Sequence, residues 1–165
     1  MKKTILFGML MLGTSVSSAS TVQKFIGDYQ LQKSQVDGET FCYQGIMIRE
    51  DDGLLSLYRS DISYSALISA EVNGEAREVS ASHGEAMTST KGKDTVTLDK
   101  SGTLTFDFTG RSNILGIPAM RESDSLALKL SADGKTAYAV RKTFEGPVAG
   151  LGKKGKALCE YRKIN

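Results

Sequence analysis

The stretch Thr103-Leu104-Thr105-Phe106-Asp107-Phe108-Thr109 alternates polar and apolar residues at every step. Only an extended chain places every second side chain on one face, so this segment reads as a half-buried strand. The pattern returns in 125–130 through Leu126, Leu128 and Leu130, and in 95–100 through Val96 and Leu98. Ile62, Tyr64, Ala66, Ile68, Ala70 and Val72 form another such row. Its length would allow a helix over 60–71, but its Ser and β-branched content argues against one. Asp52-Gly53, Asn73-Gly74, Ser101-Gly102 and Asp133-Gly134 fall between the rows. Such pairs accept positive φ and favour tight hairpins. The periodicity predicts strands over 25–33, 41–50, 54–60, 62–72, 75–82, 95–100, 103–109, 125–132, 135–145 and 157–164, the third and fourth readable as one bent strand. The expected fold is all-β, either a single antiparallel meander barrel of about 8–10 strands or a β-sandwich.

Met1-Lys2-Lys3 opens the chain, and an uncharged run rich in Ile, Leu, Met and Phe follows over 4–16. Ser17 and Ala19 put small residues where signal peptidase reads them, so cleavage is expected after Ala19. The run is shorter than the about 20 residues of a transmembrane helix, which argues against an uncleaved anchor. No Cys follows the small residues, so the usual bacterial lipoprotein arrangement is missing. The expectation is a bacterial signal peptide over 1–19 and one β-barrel-like domain over 20–165, periplasmic or secreted and without a stable membrane anchor.

The full chain has a formal net charge of +2, and losing Lys2 and Lys3 leaves 19 basic against 19 acidic residues. A neutral body offers no general field to nucleic acid or an anionic membrane, and no nucleic-acid partner is expected. Cys42 and Cys159 stand 117 positions apart. In an oxidising compartment an isolated pair is most simply a disulfide. Two free thiols are the alternative; a metal pair lacks further soft ligands beyond His83.

If each strand pairs with the next, connections alternate between the two ends of the sheet. The long ones (83–94, 110–124 and 146–156) then gather at one end, and the tight turns at 73–74, 101–102 and 133–134 at the other. Barrel mouths are preferred ligand sites, though long loops are also tolerated as plain insertions. The first two long connections balance their charges, whereas Lys153, Lys154 and Lys156 give the third a net +3. Ile114, Leu115, Ile117, Pro118, Met120, Val148 and Leu151 add apolar surface. Ile114, Leu115, Met120, Lys153, Lys154 and Lys156 are therefore the candidate ligand-binding residues, for an amphipathic anion or an acidic protein surface. Alternatively, the apolar residues fold inward and plug the barrel.

Phe25-Ile26-Gly27-Asp28-Tyr29 opens the folded part, and Cys159-Glu160-Tyr161-Arg162 lies near its end. A Gly, one residue and an aromatic on the first strand, with an Arg on the last, resembles the lipocalin and wider calycin barrels. Tyr29 stands where that group usually has Trp. The resemblance implies Arg162 packing on Tyr29, an early-to-late disulfide, and a cup for a small apolar ligand or a secreted inhibitor on the same scaffold. Read without it, Gly27 relieves crowding at a strand bend and Tyr29 is core.

Catalytic patterns are missing. Gly150-Leu151-Gly152-Lys153-Lys154-Gly155 matches G-x-G-x-x-G, but a dinucleotide site needs a following helix and a later acid. His83 has no G-x-S-x-G elbow to serve. Glu50-Asp51-Asp52 sits at a turn rather than across a cleft. The sequence therefore points to a non-catalytic binding protein for a small amphipathic or apolar ligand, with no cofactor and no metal, or to a protein-binding module such as an inhibitor of a secreted hydrolase.

Overall fold

The computed structural model describes residues 21–61, 65–83, 88–148 and 150–164. The expected signal peptide lies outside the described residues. The strands are β1 (Gly27–Gly38), β2 (Gly45–Asp51), β3 (Leu54–Arg59), β4 (Ile68–Ala70), β5 (Arg77–His83), β6 (Thr88–Leu98), β7 (Thr103–Ile114), β8 (Ile117–Leu130), β9 (Thr136–Pro147) and β10 (Lys153–Lys163). They form one antiparallel meander in the order 4-3-2-1-10-9-8-7-6-5, nearly closed into a barrel rather than split into a sandwich. β1 lies between β2 and β10, so the two ends of the folded chain meet mid-sheet.

Residues paired across neighbouring strands share a face. The inward rows are apolar in the half of the barrel nearest the tight turns. Val96, Phe106, Leu126 and Leu104, Leu128, Ala139, Cys159 follow one another across the sheet. Tyr29, Tyr161, Ile46, Ile48, Leu55 and Leu57 are fully buried beside them. Ala137, Ala139 and Ala157 on β9 and β10 leave room for these large side chains. A short 3-10 turn (Gln23–Phe25) closes this end, with Val22 and Phe25 buried and the Tyr29 hydroxyl donating to the Phe25 carbonyl at 2.7 Å. Burial pushes the Tyr29 phenol up to about 12.

Asn73-Gly74 is not a hairpin. β4 and β5 lie at opposite edges of the sheet, and the segment between them crosses from one edge to the other. There β6 shares its free edge between two partners. Its first half pairs with β5, and its last residues meet the crossing segment through a parallel bridge from Val72 to Val96. Side chains supply the rest of the seam. The Ser69 amide donates to Asp94 Oδ2 at 2.8 Å, and Arg77 donates to the Ser69 carbonyl at 3.4 Å. Asn73, in the left-handed region at φ 56, donates its backbone amide to Val96, and its side chain both accepts from the Leu98 amide and donates to the Leu98 carbonyl.

The three long connections are mostly strand. β7 and β8 continue to a two-residue turn at Leu115-Gly116, and the link between β9 and β10 shrinks to 148–152. β5 reaches His83 and β6 starts at Thr88. The inner face of these strand halves carries Thr90, Gly92, Gly110, Ser112 and Glu122, polar or glycine, so they show no apolar alternation in the sequence. The expected strand over 41–50 begins only at Gly45, because 39–44 folds over the barrel end.

Cys42 and Cys159 form the expected disulfide, with Cα atoms 5.8 Å apart, tying that fold-over segment to β10. The double substitution Cys42→Ser/Cys159→Ser should remove about 4–5 kcal/mol of chain-entropy stabilisation. That corresponds to a fall in Tm of roughly 10 °C or more, and calorimetry showing a negligible change would refute it.

Asp94 is buried, and its Oδ1 has no hydrogen-bond partner among the described residues. Burial raises its carboxyl above the usual range, partly offset by the Ser69 amide and Arg77. A carboxyl raised in the folded state favours folding most below its unfolded pKa, and that contribution is lost as pH rises through the raised native value. Asp94→Asn should therefore gain stability relative to the parent as pH climbs through this window. Parallel stability–pH curves would contradict that.

Candidate functional site

The alternation that places Ala137 and Ala139 inside continues through Arg141 and Thr143. The barrel interior thus acquires a guanidinium where its apolar rows end. Arg141 Nε and Nη2 donate to the two oxygens of Asp124 on β8, at 2.9 and 2.6 Å, and Nη1 donates to the Phe41 carbonyl at 2.9 Å. The Tyr43 hydroxyl donates to Asp124 Oδ2 at 2.8 Å. The guanidinium carbon lies 4.0 Å from the Tyr43 ring centre and 4.6 Å from that of Phe41. Only 8% of the Arg141 side chain is exposed. Burial works against its charge, but the hydrogen bonds and charge of Asp124 prevail and hold it above its ordinary range. Burial, followed by the charge of Asp124, pushes the Tyr43 phenol up. Every Arg141 nitrogen has a partner, so this layer is a structural lid on the core.

Above the lid the sheet opens into a cleft of about 270 Å³, lined by Phe41, Phe108, Glu39, Glu122, Glu145 and Lys153, with Asp124 and Arg141 as its floor. Phe108 lies flat here because its neighbours are glycines. A Cβ on Gly92 or Gly110 would come within 2.4 Å of its ring. Glu122 and Glu145 are direct cross-strand neighbours on the inner face, an unfavourable like-charge pairing. Glu122 accepts from the Ser112 hydroxyl at 2.9 Å, and Ser112 and Thr90 hydroxyls lie 3.0 Å apart. Lys153 reaches Glu39 at 2.9 Å, and the hydrogen bond and charge of Glu39 raise its ammonium above the ordinary range. Carboxylates therefore outnumber cations around this mouth, the reverse of the sign expected from the sequence.

The six candidate residues do not form one site. Ile114 and Leu115 stand exposed at the β7–β8 turn, and Met120 is half-buried on the inner face opposite Ser112. Lys153, Lys154 and Lys156 lie on β10 rather than in a loop, so Lys153 points to the cleft and the other two to the outer face. Ile114, Leu115, Ile117 and Leu151 do not plug the barrel; the Phe41–Tyr43–Arg141 layer does. Gly152 and Gly155 of the G-x-G-x-x-G match allow close approach, with Phe144 over one and Thr40 over the other. Arg162 is exposed and does not pack on Tyr29; Lys163 Nζ lies 5.6 Å from that ring instead. His83 closes β5 in register with Thr88. Among the described residues, no group of three or more His, Cys, Asp and Glu could hold a metal ion, and no helix is long and apolar enough to cross a membrane.

From the sequence, Asp124 falls in the connection 110–124 and Arg141 in the strand 135–145 with no role; the structure pairs them across β8 and β9. The available signal was the inward row of Ala137 and Ala139, which Arg141 extends. No family model, no curated protein and no solved structure matches this chain.

Arg141→Met should destabilise the fold by about 3 kcal/mol in urea titrations, since it strands Asp124 and the Phe41 carbonyl. Adding Asp124→Leu should recover much of that loss. A double variant no better than the single one would show that the pair is not what the lid depends on.

Proposed function

We propose that this protein is a non-catalytic binding protein of the periplasm or secreted space, taking a small amphipathic ligand with a cationic group at the mouth of its barrel. The observation that carries this reading is the Glu122–Glu145 pair beside Phe41 and Phe108. Two carboxylates held in opposed positions repel each other, and a ligand cation between them relieves that cost. The aromatic faces suit both the apolar part of the ligand and its cation. The mouth is small for a drug-sized molecule, and the interior below Arg141 is occupied by Tyr29, Tyr161 and Phe106. The ligand is held at the rim rather than swallowed. The meander and the Gly27-x-Tyr29 opening support placing the chain beside the calycin barrels.

The filled interior also supports a second reading, in which a Lys or Arg of a secreted protein occupies the same cleft and the chain acts as an inhibitor.

Calorimetric titration separates these readings. Octylamine should bind, and octanoate should bind at least about tenfold more weakly, since a charged hydrogen bond is worth one to two decades in affinity. Glu122→Gln should weaken octylamine binding by about tenfold on the same grounds. Equal affinity for amine and carboxylate, or no binding of either, overturns the small-ligand reading. Glu122-dependent capture of a hydrolase without amine binding moves the conclusion to the inhibitor.

A further inference from the structure

The outer face of the same strand halves carries the opposite charge. Lys91, Arg111 and Arg121 are direct cross-strand neighbours on β6, β7 and β8, and Lys142 faces Lys156 across β9 and β10. Like charges in opposed positions destabilise a sheet. Among the described residues, none of these five forms an ion pair, whereas Lys93 beside them is held by Glu78 at 3.0 Å. Asp37 on β1 is in register with Lys156. Lys91, Lys93, Arg111 and Arg121 outnumber Glu78 and Glu122 around a trough of about 710 Å³ that extends to Phe144.

These strands end in an apolar tip. Leu115 and Gly116 have φ of 51 and 79, the two positive-φ positions of a primed turn that ordinarily takes Asn-Gly. Leu in the first of them is strained, and it is 68% exposed. Ile114 and Ile117 flank it at 49% and 69%, and Leu151 on the neighbouring connection is 98% exposed. The Val148 amide donates to the Ala119 carbonyl at 3.1 Å, holding the two connections side by side.

Arg111 is four residues from Leu115, about 13 Å along an extended strand. An apolar element at a membrane interface sits about 5–10 Å into the headgroup–acyl boundary. With the tip at that depth, the long side chains of Arg111, Lys91 and Arg121 meet the lipid phosphates. We propose that this end of the barrel docks reversibly on an anionic bilayer, with the Ile114–Ile117 tip inserted and the Lys91–Arg111–Arg121 row on the phosphates. The near-balance of acidic and basic residues over the chain does not oppose this, because salt confines each field to about 8 Å and only the local charges count.

Co-flotation of the disulfide-intact, signal-free protein with phosphatidylcholine vesicles, plain or with about 30 mol% phosphatidylglycerol, tests the proposal. Binding should require the anionic lipid and weaken as salt is added. Leu115→Asn, which suits the turn and so preserves the fold, combined with Ile117→Ser, should lower partitioning at least about tenfold. The triple change Lys91→Gln/Arg111→Gln/Arg121→Gln should lower it about a hundredfold, at roughly fivefold per cation. Lys135→Gln, at the far end of the barrel, should leave it unchanged. Equal binding to both vesicle types, or binding indifferent to both sets of changes, overturns the proposal. So does retention on poly-L-glutamate without vesicle binding, which would make an acidic protein the partner of this face.

Discussion

A ten-stranded sheet has two unpaired edges, and here they are joined by side chains rather than by a full ladder. Asp94 holds the Ser69 amide, Arg77 holds the Ser69 carbonyl, and Asn73 imitates a strand along Val96 and Leu98. This seam uses only the last residues of β6 and leaves its first half to β5. A barrel closed along its whole length would have no rim to spread. Because one edge serves two partners, the sheet is shut near the tight turns and open at the opposite end, and the acidic cleft, the basic outer row and the apolar tip all lie on the open part. Placing a buried carboxylate at the seam is costly, because one of its oxygens has no hydrogen-bond partner among the described residues.

The second boundary is the Arg141 layer. Below it, interior positions hold Tyr29, Tyr161, Phe106 and aliphatic residues; above it they hold Glu122, Glu145, Ser112 and Thr90. The guanidinium suits this border because its planar faces stack on Phe41 and Tyr43 while its edge satisfies Asp124 and a backbone carbonyl. The disulfide fixes the same boundary from within the core, since Cys42 lies between the two aromatic residues and bonds to the inward-facing Cys159 of β10. The 39–44 segment is thereby held as a lid over a filled core.

The pleat separates charge above that boundary. Successive residues of β10 send Lys153 inward to Glu39 and Lys154 outward, and β8 sends Glu122 inward and Arg121 outward. A nearly balanced composition thus becomes an acidic cup with a basic exterior and apolar tips. The two faces carry opposite charge, and neither sign follows from the net charge.

Period-two alternation, as in Thr103–Thr109 and in Leu126, Leu128 and Leu130, was enough to establish an all-β chain of ten strands and most of its turns, because alternation is the imprint of one buried face. The even cysteine count in an expected oxidising compartment was enough to foresee Cys42–Cys159. Strand length was not legible where the inner face is polar or glycine rather than apolar, as at Gly110, Ser112 and Glu122, so the outer halves of β7 and β8 read as loop. The tertiary structure alone decided that Asn73 crosses between sheet edges instead of turning a hairpin, that Arg141 is buried, and that the three lysines of β10 part company. Those outcomes depend on which distant strand lies alongside: Ser69 meets Asp94, and Tyr43 meets Asp124, only after the sheet has curled. Pairing at that range leaves no mark on the local pattern, which records burial and turn chemistry but not the identity of the neighbour.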